Sequence, residues 1–441
     1  MKKSILFVIL FSFTSSCFSQ IINSDKLDSF FNLLNKNEKA MGSIAISKNG
    51  KLLYSNSIGY IDEALTLKSN SNTQYRIGSI TKMFTATMIF NLIEKNKLKL
   101  NTTLSTYFPN IPNANSITIS NLLNHRSGIF NITNDSSYFN WCSNIISQEE
   151  MITKIASYKS IFEPNIKTDY SNSNYILLTY IIEKITKQSF STALDKMIIQ
   201  KLKLTNTKYG DKINTNLNQA HSFNFNGNNW SKFEIETDVS VPLGAGAIIS
   251  TPTDLTIFIT ALFNEKLVSK QSLLQMQTIT DGLGMGMFSF PFYTHKAFGH
   301  TGGIDGFRSN LAYFEKDSIA IAYCSNAVNY PVNDIIIAVL SIYFNRDFSL
   351  PNFAEKQTTI SNLLKYIGTY SSSSFPLKID IKISENKLTA QATGQSPFPL
   401  EYVEMEIFKF EAAGIKLIFN SEKNEMTLHQ GGRSFVLNKE K

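Results

Sequence analysis

The 441-residue chain is too long for one small domain and long enough for a large core with an accessory domain. Its formal charge of +7, from 42 basic and 35 acidic residues, comes without a run of five or six basic residues, which argues against nucleic acid as a partner. Three cysteines and five scattered histidines show no zinc-ligand spacing, so neither a metal nor another cofactor is implied.

Lys2 and Lys3, the apolar run Ile5 to Phe13 and the small or polar Thr14 to Ser19 have the layout of a secretory signal peptide over residues 1–19. Cleavage between Ser19 and Gln20 predicts an exported protein, periplasmic or secreted. Lipoprotein anchoring through Cys17 is the weaker alternative, because Thr14 stands where such signals carry an aliphatic residue. Later segments fall short of the ~18 apolar residues of a membrane span. The longest, Ile335 to Phe344, is broken by Ser341 and reads as a buried helix. Cys142 and Cys324 remain in the mature chain, and the sequence leaves open whether they are paired or free.

An opening helix is followed by a hairpin, with apolar alternation from Gly42 to Ile46, the type I′ signal Asn49-Gly50, and a second strand from Leu52 to Tyr60. Then comes Arg76-Ile77-Gly78-Ser79-Ile80-Thr81-Lys82, where the helical spacing of Met83, Phe84, Met88, Ile89, Leu92 and Ile93 begins. Ser79 and Lys82 fall three residues apart at a helix start, so the amine can reach the hydroxyl. A serine needs a base to become a nucleophile, and lysine serves if desolvation keeps it neutral. The helix N-terminus supplies N–H groups for an oxyanion beside Ser79. The spacing alone is cheap: Ser384 and Lys387 repeat it at what reads as a hairpin tip, and an ordinary helix cap would explain Ser79.

Ser120 to His125 reads as a helix ending at Ser127-Gly128, with His125 a structural hydrogen-bonding residue rather than a catalytic one. A short helix is expected over 148–158. Glu163, next to Pro164, reads as a solvated turn residue, and Tyr170-Ser171-Asn172 precedes a helix from Asn174 to Lys187. A loop tyrosine suits proton shuttling if nearby cations lower its pKa. Tyr54 and Tyr343 also begin a Y-x-N triplet but fall in a strand and a buried helix; Tyr138, in a polar loop, stays open on spacing alone.

Thr251-Pro252-Thr253-Asp254 starts a helix running to about Phe263. Gly282, Gly284 and Gly286 lack the context of a nucleotide loop and read as close backbone approach in a strand. Gly299-His300-Thr301-Gly302-Gly303 precedes antiparallel strands from Phe307 to Phe314 and from Ser318 to Cys324. Its N–H groups suit a substrate backbone, and its polar side chains a carboxylate.

Taken in order, Ser79/Lys82, Tyr170/Asn172 and His300/Thr301/Gly302 resemble the serine β-lactamase and penicillin-binding-protein superfamily over about residues 25–345. The branch is that of class C β-lactamases, D-alanyl-D-alanine carboxypeptidases, D-aminopeptidases and related esterases. Leu122 to Gly128, Tyr170 to Tyr175, the stretch from Gly246 to Leu255, and Gly299 to Phe307 extend the resemblance, which selects Tyr170 over Tyr138. It implies Ser79 as the acylated nucleophile, Lys82 as its activating partner and Tyr170 sharing the proton transfers. Asn172 would hold the substrate amide, His300 would stand where many relatives carry lysine, and Thr301 and Gly302 would contact substrate, Thr301 at its carboxylate. The N–H groups of Ser79 and Gly303 would form the oxyanion hole. Histidine is less cationic than lysine at neutral pH, which tells against strong recognition of a β-lactam carboxylate. Asn165 replaces a frequent glycine.

The implied fold is α+β, an antiparallel sheet flanked by helices with an all-helical region, over 20–348. From 349 to 441, short alternating strands opening at Tyr366 to Tyr370, with turns at Glu385-Asn386 and Gly431-Gly432, predict a small antiparallel β-barrel resembling a lipocalin-like accessory domain. The implied partner is a small molecule or peptide: a D-amino-acid peptide, a β-lactam or an ester. A binding protein without catalysis is the alternative from another class. The sequence does not set an oligomeric state.

Overall fold

The computed structural model describes residues 22–227, 229–353, 360–384, 387–394, 397–410, 413–430 and 433–440. The leader with Cys17, and the turn pairs Glu385-Asn386 and Gly431-Gly432, lie outside these residues. Two compact units divide the chain, Met1–Ser349 and Leu350–Lys441.

In the first unit, β1 (Ala40–Lys48) and β2 (Lys51–Ile58) form the expected hairpin. Asn49 at φ 52° and Gly50 at φ 76° take the two left-handed positions that a type I′ turn demands. The sheet is completed much later by β3 (Phe288–Phe292), β4 (His295–Ile304), β5 (Phe307–Phe314) and β6 (Ile319–Val328), in the antiparallel order β2-β1-β6-β5-β4-β3. Strand β6 runs beyond the expected end at Cys324, because its last residues pair with Ala40 and Met41 of β1.

Five helices fix the layers: α1 (Ser24–Lys36), α2 (Thr81–Glu94), α3 (Asn172–Thr186), α4 (Pro252–Phe263) and α5 (Val332–Tyr343). On one face of the sheet Phe31 of α1 meets Tyr323, with ring centres 6.4 Å apart; on the other Phe263 of α4 meets Tyr313 at 4.6 Å. Covered on both sides, β1 buries successive residues rather than alternate ones. The Thr251 hydroxyl caps α4 by accepting the Asp254 N–H, and Pro252 occupies its first turn, where a missing N–H costs nothing.

Helix α2 is buried almost all round, as a central helix must be. Phe84 stacks on Phe258 of α4 at 3.7 Å. Burying one such side chain contributes roughly 1.5–3 kcal/mol, which holds the start of α2 firmly between its neighbours. Gly282, Gly284 and Gly286 lie in bends before β3, not in a strand, because bridges at Thr280–Leu283 and Leu283–Phe288 turn the chain there. Cys142 and Cys324 are both buried free thiols. Among the described residues no helix is long and apolar enough to cross a membrane.

The second unit is a nine-stranded antiparallel sheet around Tyr370, Ile381, Leu388, Phe408, Phe419, Met426 and Leu437. Its edge strands, Phe398–Pro399 and Glu401–Glu404, are separated by Leu400 alone, so the sheet curls into a nearly closed barrel. Ser384 and Lys387 face each other across a hairpin there and are exposed; the second serine–lysine pair has no helix to join it.

Candidate active site

A single 3₁₀ turn, Gly78–Ile80, connects the two-residue strand Tyr75–Arg76 to α2. Ser79 makes no capping bond to the helix. Its Oγ instead lies 2.9 Å from Lys82 Nζ and accepts the Tyr170 hydroxyl at 2.8 Å. Gly78 makes the approach possible: its φ is +51°, and a Cβ there would lie 2.7 Å from the Gly303 nitrogen. Gly302 is equally constrained, since a Cβ would meet the Ile77 carbonyl oxygen at 2.1 Å. These two close approaches seat β4 against the turn that carries Ser79 and put the Gly303 peptide beside Gly78.

Lys82 has no solvent exposure, and that burial holds its amine well below the usual lysine range. Besides Ser79, Nζ has two acceptors, Asn172 Oδ1 at 2.7 Å and the Ala245 carbonyl at 2.8 Å. A neutral amine has two N–H donors and one lone pair. With the donors satisfied by Asn172 and Ala245, the lone pair is directed at the Ser79 hydroxyl.

Burial also pushes the Tyr170 phenol up from its ordinary value, against the smaller lowering effect of its bond to Ser79. The condition set above, a phenol pKa lowered by nearby cations, is not met, because burial dominates. Tyr170 is therefore a phenol, a proton donor at rest. It is clamped by His125, whose ring stacks on it at 4.4 Å. His125 Nδ1 accepts the Ser171 N–H at 3.1 Å, and desolvation holds the imidazole well below its usual pKa, keeping it neutral.

A cleft of about 530 Å³ opens over Ser79, lined among others by Gly78, Asn172, Ala245, Gly303, Asp305 and Arg308. A depression of about 590 Å³ between Ser116 and Asn165 contains none of this chemistry. Of the residues expected to touch substrate, Asn172 and Gly303 line the cleft, while His300, Thr301 and Gly302 do not. The Asn172 side chain is largely committed, to Lys82 through Oδ1 and to Thr133 Oγ1 through Nδ2 at 3.1 Å. One amide N–H remains for a ligand. Thr301 is exposed and is not among the residues lining the cleft. His300 is buried against Phe288, with ring centres 4.2 Å apart, and desolvation pushes its pKa down to about 3. It is a neutral ring packed near Tyr170 at 6.3 Å, not a cation for a carboxylate.

Other expectations shift in detail. Asn172 is the first residue of α3, so Tyr170 sits immediately before a helix start. Tyr138 belongs to a short helix, Tyr138–Trp141, on the cleft wall rather than to a loop. Asn165 has φ 72°, which suits the glycine-like role of its position, and its side-chain oxygen accepts from Arg126.

Two arginines escaped the sequence reading. Buried Arg76, three residues before the nucleophile, bonds Asp305 at 2.9 Å, Glu236 at 2.9 Å and the Thr237 carbonyl at 2.6 Å. Asp305 sits on the β4–β5 turn, so this pair ties the Ser79 strand to the strand carrying Gly303. Arg308 follows directly on the glycine-rich motif and pairs across with Gly303. A charged residue directly after the motif was the available signal for Arg308.

The family model described as Beta-lactamase matches residues 33–341. Among curated proteins, penicillin-binding protein PbpX of Bacillus subtilis (strain 168) is 27% identical over 290 residues, covering 65% of this chain and 71% of that protein. Teichoic acid D-alanine hydrolase of Staphylococcus aureus is 29% identical over 230 residues, 52% of this chain; the match spans only 55% of that relative's length. Among solved structures, the octameric penicillin-binding protein homologue from Pyrococcus abyssi superposes with a TM-score of 0.67 at 23% identity, over 95% of this chain and 100% of that one. D-amino acid amidase from Ochrobactrum anthropi SV3, complexed with D-phenylalanine, does so at 0.66 and 22% identity, over 73% of this chain and 99% of that one. At these identities the two structures show a shared fold.

Proposed function

The chain belongs to the β-lactamase family of serine hydrolases, and from that premise we propose that it is an exported enzyme acylated on Ser79. Its substrate is an amide or ester of the D-peptidase type, of which a D-alanyl-D-alanine peptide is the leading candidate. The observation that carries this reading is the hydrogen-bonded series Tyr170 Oη, Ser79 Oγ, Lys82 Nζ, with the amine fully buried. The leader-like layout of residues 1–19 supports export.

In this mechanism neutral Lys82 takes the Ser79 proton as Oγ bonds to the acyl carbon. The N–H groups of Ser79 and Gly303 receive the developing oxyanion. As the old bond breaks, Tyr170 gives its phenolic proton to the leaving nitrogen or oxygen, and the Lys82 ammonium restores it. Water then adds to the ester, its proton passes to the same pair, and Ser79 is released. Removing one oxyanion donor typically costs ~3 kcal/mol in such reactions.

A β-lactam bears its carboxylate on the leaving-amine side. Tyr170 marks that side, and its neighbour His300 is neutral there. A D-alanyl-D-alanine peptide carries its terminal carboxylate on the same side, so the neutral ring offers a cation to neither and does not separate the two; amides or esters with an uncharged leaving group lose nothing by it. Intact-protein mass spectrometry tests the reading, with the mature protein and Ser79→Ala incubated with a fluorophosphonate and, separately, a fluorescent penicillin. A phosphonate adduct on Ser79, absent in the variant, is expected. No adduct from either reagent would leave a binding protein as the surviving reading, and rapid penicillin consumption without an adduct would identify a β-lactamase.

A further inference from the structure

The cleft is lopsided. Tyr170 and the groups packed around it, His125, Phe288 and His300, do not line it. It extends past Gly303 along residues 304–306 to Arg308, with Phe233 against Gly306 and Phe223 also in the lining. A leaving group must lie within reach of the Tyr170 proton, so the space beyond Gly303 receives the acyl portion, the part that stays on the enzyme.

Two charged residues line that space, Asp305 and Arg308. The Asp305 carboxylate is consumed: it accepts Arg76, the Thr237 N–H at 3.0 Å and the Thr237 hydroxyl at 2.6 Å. Arg308 differs. Its bond is from Nη1 to the adjacent Phe307 carbonyl at 2.8 Å, and among the described residues it makes no ion pair. A Cβ on Gly303 would lie 3.5 Å from Nη1, so the guanidinium stands beside the strand residue assigned to the oxyanion hole. Arg308 is exposed where it lines the cleft, and most of its planar donor fork is unspent.

We infer that Arg308 is the anion anchor of the acyl subsite, so that the enzyme selects acyl donors whose retained portion carries a carboxylate or phosphate. Aromatic side chains hold the body of the acyl group while Arg308 bonds its anionic end in bidentate fashion. The same charge rejects acyl groups bearing a free ammonium, such as unmodified amino-acid amides. This inference rests on acylation at Ser79, and its test separates the two.

Three p-nitrophenyl esters with one leaving group serve as probes: the glutarate hemiester, the 4-phosphonobutyrate ester and the neutral valerate. The wild-type protein should prefer an anionic ester, and whether carboxylate or phosphonate leads identifies the anion. In Arg308→Gln, kcat/KM for the preferred anionic ester should fall about 30-fold, in line with a charge-assisted bond, while the valerate changes less than about 3-fold. Arg308→Lys should recover part of the anionic preference. An equal loss on all three esters would make Arg308 merely structural, and no change on any would remove it from the subsite. Glutarate monoanilide binding to Ser79→Ala, with and without Arg308→Gln, is measured by calorimetry and needs no turnover. A binding preference with no ester cleavage would sink the acylation reading and leave the anion site standing. Cleavage without any anionic preference would do the reverse.

Discussion

Replacing Arg76 with methionine removes the tie between the nucleophile strand and the β4–β5 turn while keeping a side chain of similar reach. The wild-type guanidinium is 5% exposed and its Asp305 partner 6%. The substitution strands a buried carboxylate on two bonds from Thr237, and breaking a buried pair from one side costs about 3–5 kcal/mol. Part of that loss reverses in Arg76→Met/Asp305→Asn, where the buried carboxylate is gone and only the more exposed Glu236 is left without its cation; urea unfolding should give a coupling of about 2 kcal/mol or more. Burial already raises the Asp305 pKa in the native protein, and losing Arg76 raises it further. A carboxylate whose folded pKa lies above its unfolded value contributes stability below the unfolded pKa and loses it as pH rises through the folded one. Arg76→Met should therefore approach wild-type stability near pH 4 and diverge from it toward pH 8. Because Asp305 lies two residues after Gly303, kcat should also drop about 10-fold or more as the oxyanion donor loses its register. Additive single effects in the double variant, or a stability deficit independent of pH, would refute the reasoning.

Tyr170→Phe should lower kcat for an unactivated amide by about 10²–10⁴-fold yet spare p-nitrophenyl ester cleavage, whose leaving group departs without a proton; equal losses on both would show that Tyr170 positions rather than protonates. The log of kcat/KM should rise with pH through one transition well below the ordinary lysine range, since Lys82 works as the free base, and Lys82→Arg should be inactive at every pH because guanidinium stays charged. His300→Asn should leave that profile unshifted between pH 5 and 8, because a ring with a pKa pushed down to about 3 does not titrate there; a displaced transition would show that His300 is coupled to the base.

What the sequence made legible was local. Serine and lysine three apart at the onset of helical periodicity, Asn49-Gly50 between alternating runs, and Thr251-Pro252 before an apolar segment all express contacts within a few residues. The family resemblance joined Ser79 to Tyr170 across ninety residues where periodicity had nothing to offer. Side-chain direction on β4 stayed hidden, because which face His300, Thr301 and Gly302 present depends on register against β5 and on how closely Ile77 approaches. Neither is a property of the pentapeptide. Arg76 was equally opaque: its partners lie at 236, 237 and 305, and no local pattern distinguishes a buried arginine from a solvated one.

The pairing of β1 with β6 bears on synthesis. Ala40 finds its neighbour in Val328, and Lys48 in Ile319, so the hairpin has no partner on that side until the far later segment Ile319–Val328 has been made. Closing so long a loop is an entropic burden met before any contact repays it. Through that interval the nascent protein holds one edge of a strand, paired on its other side in the hairpin, open to wrong partners.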